Sequence, residues 1–277
     1  MWDNQFVALV FFLYFGKMSE TPPRDSCTLG RSLALYQRIV EDGARTPFAR
    51  LSHELGLSTS TAHRLAAELL RQGMIARVGR GRYDIGLTAV KLAAGRTFNS
   101  QLARTARPLV QHLSHRTGLT GHLGVLEDGM VTYLVKSPGA ADDSARFTQE
   151  GMQLEAYCSA VGKVLLAGLE PTQLDEYLSE GDFVSATTRT VTEVDGLRRE
   201  LAKVRARGMA IDDREIADDM MCVAVPVCDE WGDVLAALSV SMTWSEKSEA
   251  RIPDLTGHLL RQSSRLSRNL GMRPRQS

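Results

Sequence analysis

The stretch GLSTSTAHRLAAELLRQGMIARVGRGRYDIG, residues 56–86, leaves this chain few ways to fold. Ser58 has the side chain of a helix N-cap, an oxygen able to accept from the unpaired N–H groups of a first turn. Behind it, TSTAHRLAAELLRQG carries Leu65, Leu69 and Leu70 at helical spacing, and Gly73 stops the helix. Two short strands, 74–78 and 82–86, then flank the tip VGRGR, where glycine permits a tight turn. Upstream, residues 29–40 bring Leu33, Leu35, Tyr36, Ile39 and Val40 onto one helical face before Gly43. Pro47 opens a second helix, PFARLSHELGL, that points Phe48, Leu51 and Leu55 inward before Gly56 breaks it. Three helices followed by a hairpin are the plan of a winged helix-turn-helix.

That plan has a use. A recognition helix presents its first turns to base edges while its far side is packed into the domain. The residues so presented are Thr59, Ser60, Thr61, His63 and Arg64, with hydroxyls for phosphates or bases and an arginine able to fork onto guanine. The wing adds Arg80 and Arg82 with Tyr83 behind them, suited to backbone contacts or the minor groove. Charge follows the same division. The net charge is zero, yet residues 30–96 carry an excess of about six positive charges and the chain from Thr97 onward about five negative. A basic head on an acidic body fits a DNA reader joined to a domain of another kind.

The remaining chain mixes elements. After residue 87 a helical rhythm runs through Lys91 and Ala94 and on across 102–113, reading as a helical linker over 97–117. LTGHLGVLEDGMVTYLVK predicts a hairpin turning at Asp128-Gly129, and residues 137–151 read as loop. Helices are expected at 159–169, from 171 to 178, at 192–208 and at 253–270, with strands at 209–214, 220–228 and 234–243. This pattern predicts an α/β (α+β) sensor with an antiparallel-leaning sheet rather than a doubly wound one. The expected domains are a winged helix-turn-helix at 29–96, the linker, and a sensor at 118–277, preceded by an extension at 1–28.

The reader segment, together with SAVGKVLLAGL, RRELAKVRARGMAIDDREI and MMCVAVPVCDEWGDVLAALSVSMT, resembles the IclR family of bacterial transcriptional regulators in order and spacing. The likeness runs from about Leu29 to Leu270. It implies a GAF-like effector-binding domain, no cofactor, and homodimers or dimers of dimers on a palindromic double-stranded DNA operator. It also implies a small-molecule effector, a carboxylate, held by Ala160 and Val161 at the start of the Gly-Lys helix and by Asp212, Cys222, Ser239 and Ser241. Elementary chemistry agrees with that set. Ser239 and Ser241 are two apart and so face one way in a strand, and a helix N-terminus favours an anion. Two departures stand out: Ala160 occupies a position where glycine is frequent, and Asp218 and Asp219 place acid beside the pocket strand. The function expected is a ligand-responsive regulator of a catabolic operon.

Other readings are weaker. The four cysteines lack CxxC or secreted spacing, which reads as reduced thiols in the cytoplasm. A metal- or thiol-responsive regulator using Cys158 and Cys222, or a protein-interaction module, remain alternatives. A Cys–His–Asp nucleophile built on Cys158 or Cys222, His122 and Asp212 finds no elbow motif or phosphate loop to support it, so no catalytic residue is assigned. The apolar run FVALVFFLYF at 6–15 is about half the ~20 residues of a membrane span. It reads as an upstream extension ahead of a start at Met18, with no membrane role.

Overall fold

A computed structural model describes residues 27–93, 97–140, 148–229 and 231–270, and the chain divides into two compact units at Thr97 and Phe98. The extension and its apolar run lie outside the described residues.

The first unit holds helices α1 (Thr28–Asp42), α2 (Phe48–Glu54) and α3 (Thr59–Arg71). Strands β1 (Ile75–Gly79) and β2 (Arg82–Ile85) follow, then helix α4 (Leu87–Ala93). The local signals act as expected. Gly43 ends α1 in the left-handed region with its N–H on Ile39 and Val40, and Ser58 caps α3 by accepting from Thr61 N at 3.3 Å. β1 and β2 pair antiparallel, Ile75 opposite Ile85. At Gly86 a Cβ would lie 2.1 Å from the Gly73 carbonyl, so only glycine lets the hairpin close against the end of α3. Leu35, Ile39, Phe48, Leu51, Leu65, Ile75 and Tyr83 form the core. Leu33, expected inward, is exposed, because α1 buries only the stripe through Leu35 and Ile39.

The second unit begins with α5 (Phe98–Thr117), β3 (Thr120–Glu127), β4 (Met130–Ser137), β5 (Gln153–Glu155) and α6 (Ala160–Gly168). It continues with α7 (Pro171–Glu180), α8 (Val194–Arg207), β6 (Ala210–Asp213), β7 (Met220–Cys228), β8 (Val234–Thr243) and α9 (Ser248–Asn269). Its sheet runs β5-β4-β3-β8-β7-β6, every neighbour antiparallel. The β3–β4 turn has positive φ at both Asp128 and Gly129, as the Asp-Gly signal predicts for a tight hairpin. The sheet is buried on both sides. Leu123, Val125, Val223, Leu238 and Val240 meet Leu109, Leu113, Leu259 and Leu266 of α5 and α9, while Val131, Tyr133, Ala224 and Ala237 lie on the face covered by α6, against which α8 packs.

Three expectations change. The helical rhythm beyond Leu87 forms two helices, with 94–96 outside the described residues. The longer one, α5, is no free linker: Leu102, Ala106, Leu109, Val110 and Leu113 fall on one stripe and are buried in the core of the second unit. The closing helix starts at Ser248, not at Pro253. A proline in the second turn removes only one hydrogen bond near the helix start and does not mark its beginning. Residues 153–155, unassigned in the sequence, add an edge strand to β4.

Candidate DNA-reading surface and effector site

The first turns of α3 present Thr59, Ser60, His63 and Arg64 to solvent. Thr61 is half-buried and serves the cap, its N–H and its hydroxyl both engaged with Ser58 Oγ. His63 leans on Phe48, ring centroids 5.3 Å apart. The wing divides into contact and support. Arg80 at the tip is exposed, but Arg82 donates to the carbonyls of Ala44 at 2.9 Å and Arg45 at 2.6 Å. Phe48 N donates to Gly81 O at 2.9 Å, so the wing is fastened to the α1–α2 turn twice over. Tyr83 does not stand behind the arginines as a contact. It is 7% exposed and meets Phe48 edge-on at 5.0 Å, because alternation along β2 turns it into the core. Exposed Arg45 and Arg77 also belong to this basic unit; in the sequence they carry no signal beyond charge.

In the second unit, residues far apart in sequence line up across strands. Asp212 lies opposite Cys222, Cys222 opposite Ser241, and Ser241 opposite Thr120, a single cross-strand line over β6, β7, β8 and β3. The next line holds Ala210, Ala224, Ser239 and His122. Directly opposed residues share a face, and Cys222 and Ala224 identify it as the face under α6. All six polar members, Asp212, Cys222, Ser241, Thr120, Ser239 and His122, are buried. The Cys222 thiol donates to Ser241 Oγ at 3.2 Å, His122 Nε2 bonds Thr148 Oγ1 at 2.8 Å, and the His122 ring packs on Tyr133 with centroids 5.0 Å apart.

The helix above is built to approach closely. Ser159 Oγ caps α6 by accepting from Gly162 N at 3.0 Å, which leaves the N–H groups of Ala160 and Val161 without intrahelical partners. A Cβ at Gly162 would stand 2.1 Å from the Ala156 carbonyl, and one at Gly124 would strike Val161. Gly124 therefore lets the first turn of α6 down on β3, one line beyond His122 and Ser239, and Gly162 lets the entering segment fold close against that turn.

Charge in this layer is paired unevenly. Lys163 and Glu215 form a buried ion pair. Asp212 Oδ1 accepts from Glu215 N at 2.7 Å, whereas Oδ2 has no hydrogen-bond partner among the described residues. Burial pushes the Asp212 carboxyl up to about 7, against the lowering pull of the Glu215 N–H and of Lys163. Burial, then the charges of Asp212 and Glu215, push the Cys158 thiol up to about 12, the opposite of an activated thiolate. Among the described residues no group of three or more histidine, cysteine or acidic side chains could hold a metal. Asp218 and Asp219 are exposed to solvent.

Of the residues expected to hold an effector, Asp212, Cys222, Ser239 and Ser241 share one face under the helix that begins with Ala160 and Val161. Sequence reasoning missed Thr120 and Tyr133 and gave no role to Lys163 and Glu215. Only the alternating pattern 120, 122, 124 in β3 hinted at the first.

A profile of the bacterial transcriptional regulator IclR C-terminal domain matches residues 96–268, and one of the IclR helix-turn-helix domain matches 28–79. The chain belongs to the IclR family. Within it, the HTH-type transcriptional regulator XynR of Escherichia coli K12 is 31% identical over 242 residues, covering 87% of this chain and 96% of that protein. The crystal structure of Thermotoga maritima IclR is similar with a TM-score of 0.58 at 27% identity, over 88% of this chain and 98% of that one. An IclR homolog from Microbacterium hydrocarbonoxydans, crystallised with 4-hydroxybenzoate, shares the fold (TM-score 0.58, 24% identity, 88% and 99% covered). Like its IclR relatives this chain is a transcriptional regulator and not an enzyme. No described helix is long and apolar enough to cross a membrane.

Proposed function

We propose that the protein is a cytoplasmic, ligand-responsive regulator whose α3 and wing read a palindromic operator. In this reading Thr59, Ser60, His63, Arg64 and Arg80 contact DNA, and Arg82 holds the wing in place. The second unit is the GAF-like sensor of a small organic acid, and the regulated genes serve its catabolism. Two or four copies bring recognition helices to successive half-sites, as palindromic readout requires. The observation that carries the reading is the buried polar line Asp212–Cys222–Ser241 on the sheet face that α6 covers. Sheets buried on both faces are apolar as a rule; buried polar side chains in such a place, next to unpaired helix N–H groups, suit an anionic ligand. Ligand binding there repacks the sheet against α5, whose first residue follows directly on the DNA-reading unit. Affinities for DNA and effector are then coupled in both directions.

The test is a fluorescence-anisotropy titration against the gene's own upstream DNA and against selected random DNA, at two salt concentrations, with and without a panel of small carboxylates. Salt-sensitive, sequence-preferring binding that an acid shifts is the expected result. Failure to bind either DNA would overturn it in favour of a protein-interaction module.

A further inference from the structure

Charge in the second unit is laid down by layer. The two helices on one face of its sheet, α5 and α9, hold seven arginines and two acids between them, although the chain from Thr97 onward is acidic as a whole. Four of the seven stand on α9. Leu255, Leu259 and Leu266 turn the apolar stripe of that helix onto the sheet. Arg261, Arg265 and Arg268, four and three residues apart, fall on one stripe of the opposite side and are exposed. None of the three is in an ion pair among the described residues. Asp254, at the N-terminal end of the stripe, faces His258 at 3.6 Å, and Arg261 donates to His258 Nδ1 at 3.0 Å. The helix dipole favours a cation in the last turn, where Arg268 stands, but its effect does not reach back to Arg261.

The place of this stripe in the fold adds a second observation. Ser263 Oγ donates to Pro226 O at 2.5 Å and Ser267 Oγ to Cys228 O at 2.7 Å, which lays the arginine half of α9 over the end of the sheet where β7 stops. Asn99, in the first turn of α5, donates to Glu127 at the end of β3. Gly124, Ala237 and Pro226 lie on one cross-strand line, so the two strand ends are at the same end of the sheet. There α5 begins, and its first residue, Phe98, follows directly on the DNA-reading unit. The arginines of α9 therefore stand at the end of the sensor where the chain arrives from the reader.

We infer that the Arg261–Arg265–Arg268 face of α9 is a second DNA contact, one that grips the phosphate backbone of the duplex flanking the operator. The inference rests on the DNA-reading function proposed above and adds a surface outside the reading unit. Three guanidiniums spread over about 10 Å of helix meet a polymer carrying one negative charge per ~1.7 Å of its axis. Their planar forks suit phosphate oxygens. A duplex already held by the reader is at high effective concentration for a surface joined to it in the same chain, so contacts weak in themselves count. No side chain has to reach a base edge, and the contact is independent of sequence. An acidic face of a second copy is the competing occupant. Several acids of this unit are already met within the chain, however: Asp175 by Arg198, Glu200 by Lys203, and Asp213 by Arg189 and Arg214.

Fluorescence anisotropy on the full chain tests this with two duplexes. One is trimmed to the operator selected from random DNA; the other extends it on each side by about 15 base pairs of unrelated sequence, one and a half turns. The wild type should bind the extended duplex about 10-fold or more tightly at low salt, with a salt slope steeper by about two to three, near 0.9 for each phosphate neutralised. With Arg261→Ala, Arg265→Ala and Arg268→Ala combined, the two duplexes should become equal, while affinity for the trimmed one stays at the wild-type level and reports an intact fold. Lysine at the same three positions keeps the charge and should keep most of the extra slope. Equal binding of both duplexes by the wild type, or an advantage of the longer one that survives the alanine changes, overturns the second contact and leaves the operator reading standing. Loss of affinity for the trimmed duplex in the alanine variant also overturns it, and a smaller assembly in sedimentation then assigns the face to contact between copies. Binding of neither duplex by the wild type overturns the operator reading as well.

Discussion

Lys163 of α6 and Glu215 of the β6–β7 turn meet as an ion pair across 52 positions of sequence, the lysine side chain 1% exposed. The pair ties the helix carrying Ala160 and Val161 to the turn that follows Asp212 at the end of β6. A strap holds that turn from outside: Thr187 Oγ1 donates to Arg214 O at 2.6 Å, Thr190 Oγ1 to Glu215 O at 2.7 Å, and Arg189 pairs with Asp213 at 2.7 Å. Removing one partner strands the other charge in a dry place. Lys163→Met is expected to lower stability by about 3–5 kcal/mol in urea unfolding, and the double change Lys163→Met with Glu215→Leu to recover most of it.

Asp212 makes unliganded stability depend on pH in a defined direction. Its folded carboxyl titrates at about 7, above the unfolded value, so the folded chain keeps a proton that the unfolded chain releases. The stability from that group is full below about pH 4, falls as pH rises to about 7, and is level beyond. At pH 8, Asp212→Asn should be more stable than the wild type by on the order of 2–4 kcal/mol, with its urea midpoint falling less across that window. An unchanged midpoint profile in the variant would show that another group is responsible.

The two wing arginines should fail differently. Arg80→Ala is expected to weaken binding to all sequences and reduce the salt slope by about one. Arg82→Ala removes the two bonds to Ala44 and Arg45, and is expected to cost roughly 1–2 kcal/mol of stability in the DNA-reading unit while leaving the salt slope as it was. Arg64→Ala should cost ~1–3 kcal/mol of binding at one base position only. Anisotropy over a salt series, repeated on operators changed one base pair at a time, separates the three.

Gly162 is a test of the α6 seating. A methyl group 2.1 Å from the Ala156 carbonyl forces the first turn of the helix and the segment that enters it apart. Gly162→Ala should destabilise by about 1–3 kcal/mol, as overpacking does, and abolish the response to effector. Operator binding without effector should persist, since the DNA-reading unit has its own core. Paired titrations with and without the acid read both outcomes.

What the sequence disclosed depended on the range of the signal. Ser58, Gly43, Gly73 and the Asp128-Gly129 turn act on their immediate neighbours, and each does what its chemistry predicts. Ser239 and Ser241 could be assigned to one face because alternation is a local rule. That they align with Asp212, Cys222 and Thr120 depends on the register between strands distant in sequence, which periodicity does not contain. Lys163 and Glu215 were illegible for the same reason: a lone lysine within SAVGKVLLAGL gives no sign that its charge is met inside the fold. Tyr83 and α5 show the opposite error. An aromatic beside arginines suggests a surface, and a helix between domains suggests a spacer, until burial shows each serving a core.

The burial of α5 fixes where this protein can be cut and rejoined. A sensor fragment begun at residue 118 would lose Leu102, Ala106, Leu109, Val110 and Leu113 and lay bare the apolar side of β3 and β4 and one flank of α9 to water. The transferable cassette begins at Phe98. A chimera grafting this sensor onto another DNA reader therefore has its seam in the few residues between Ala93 and Phe98, and inherits α5 whole.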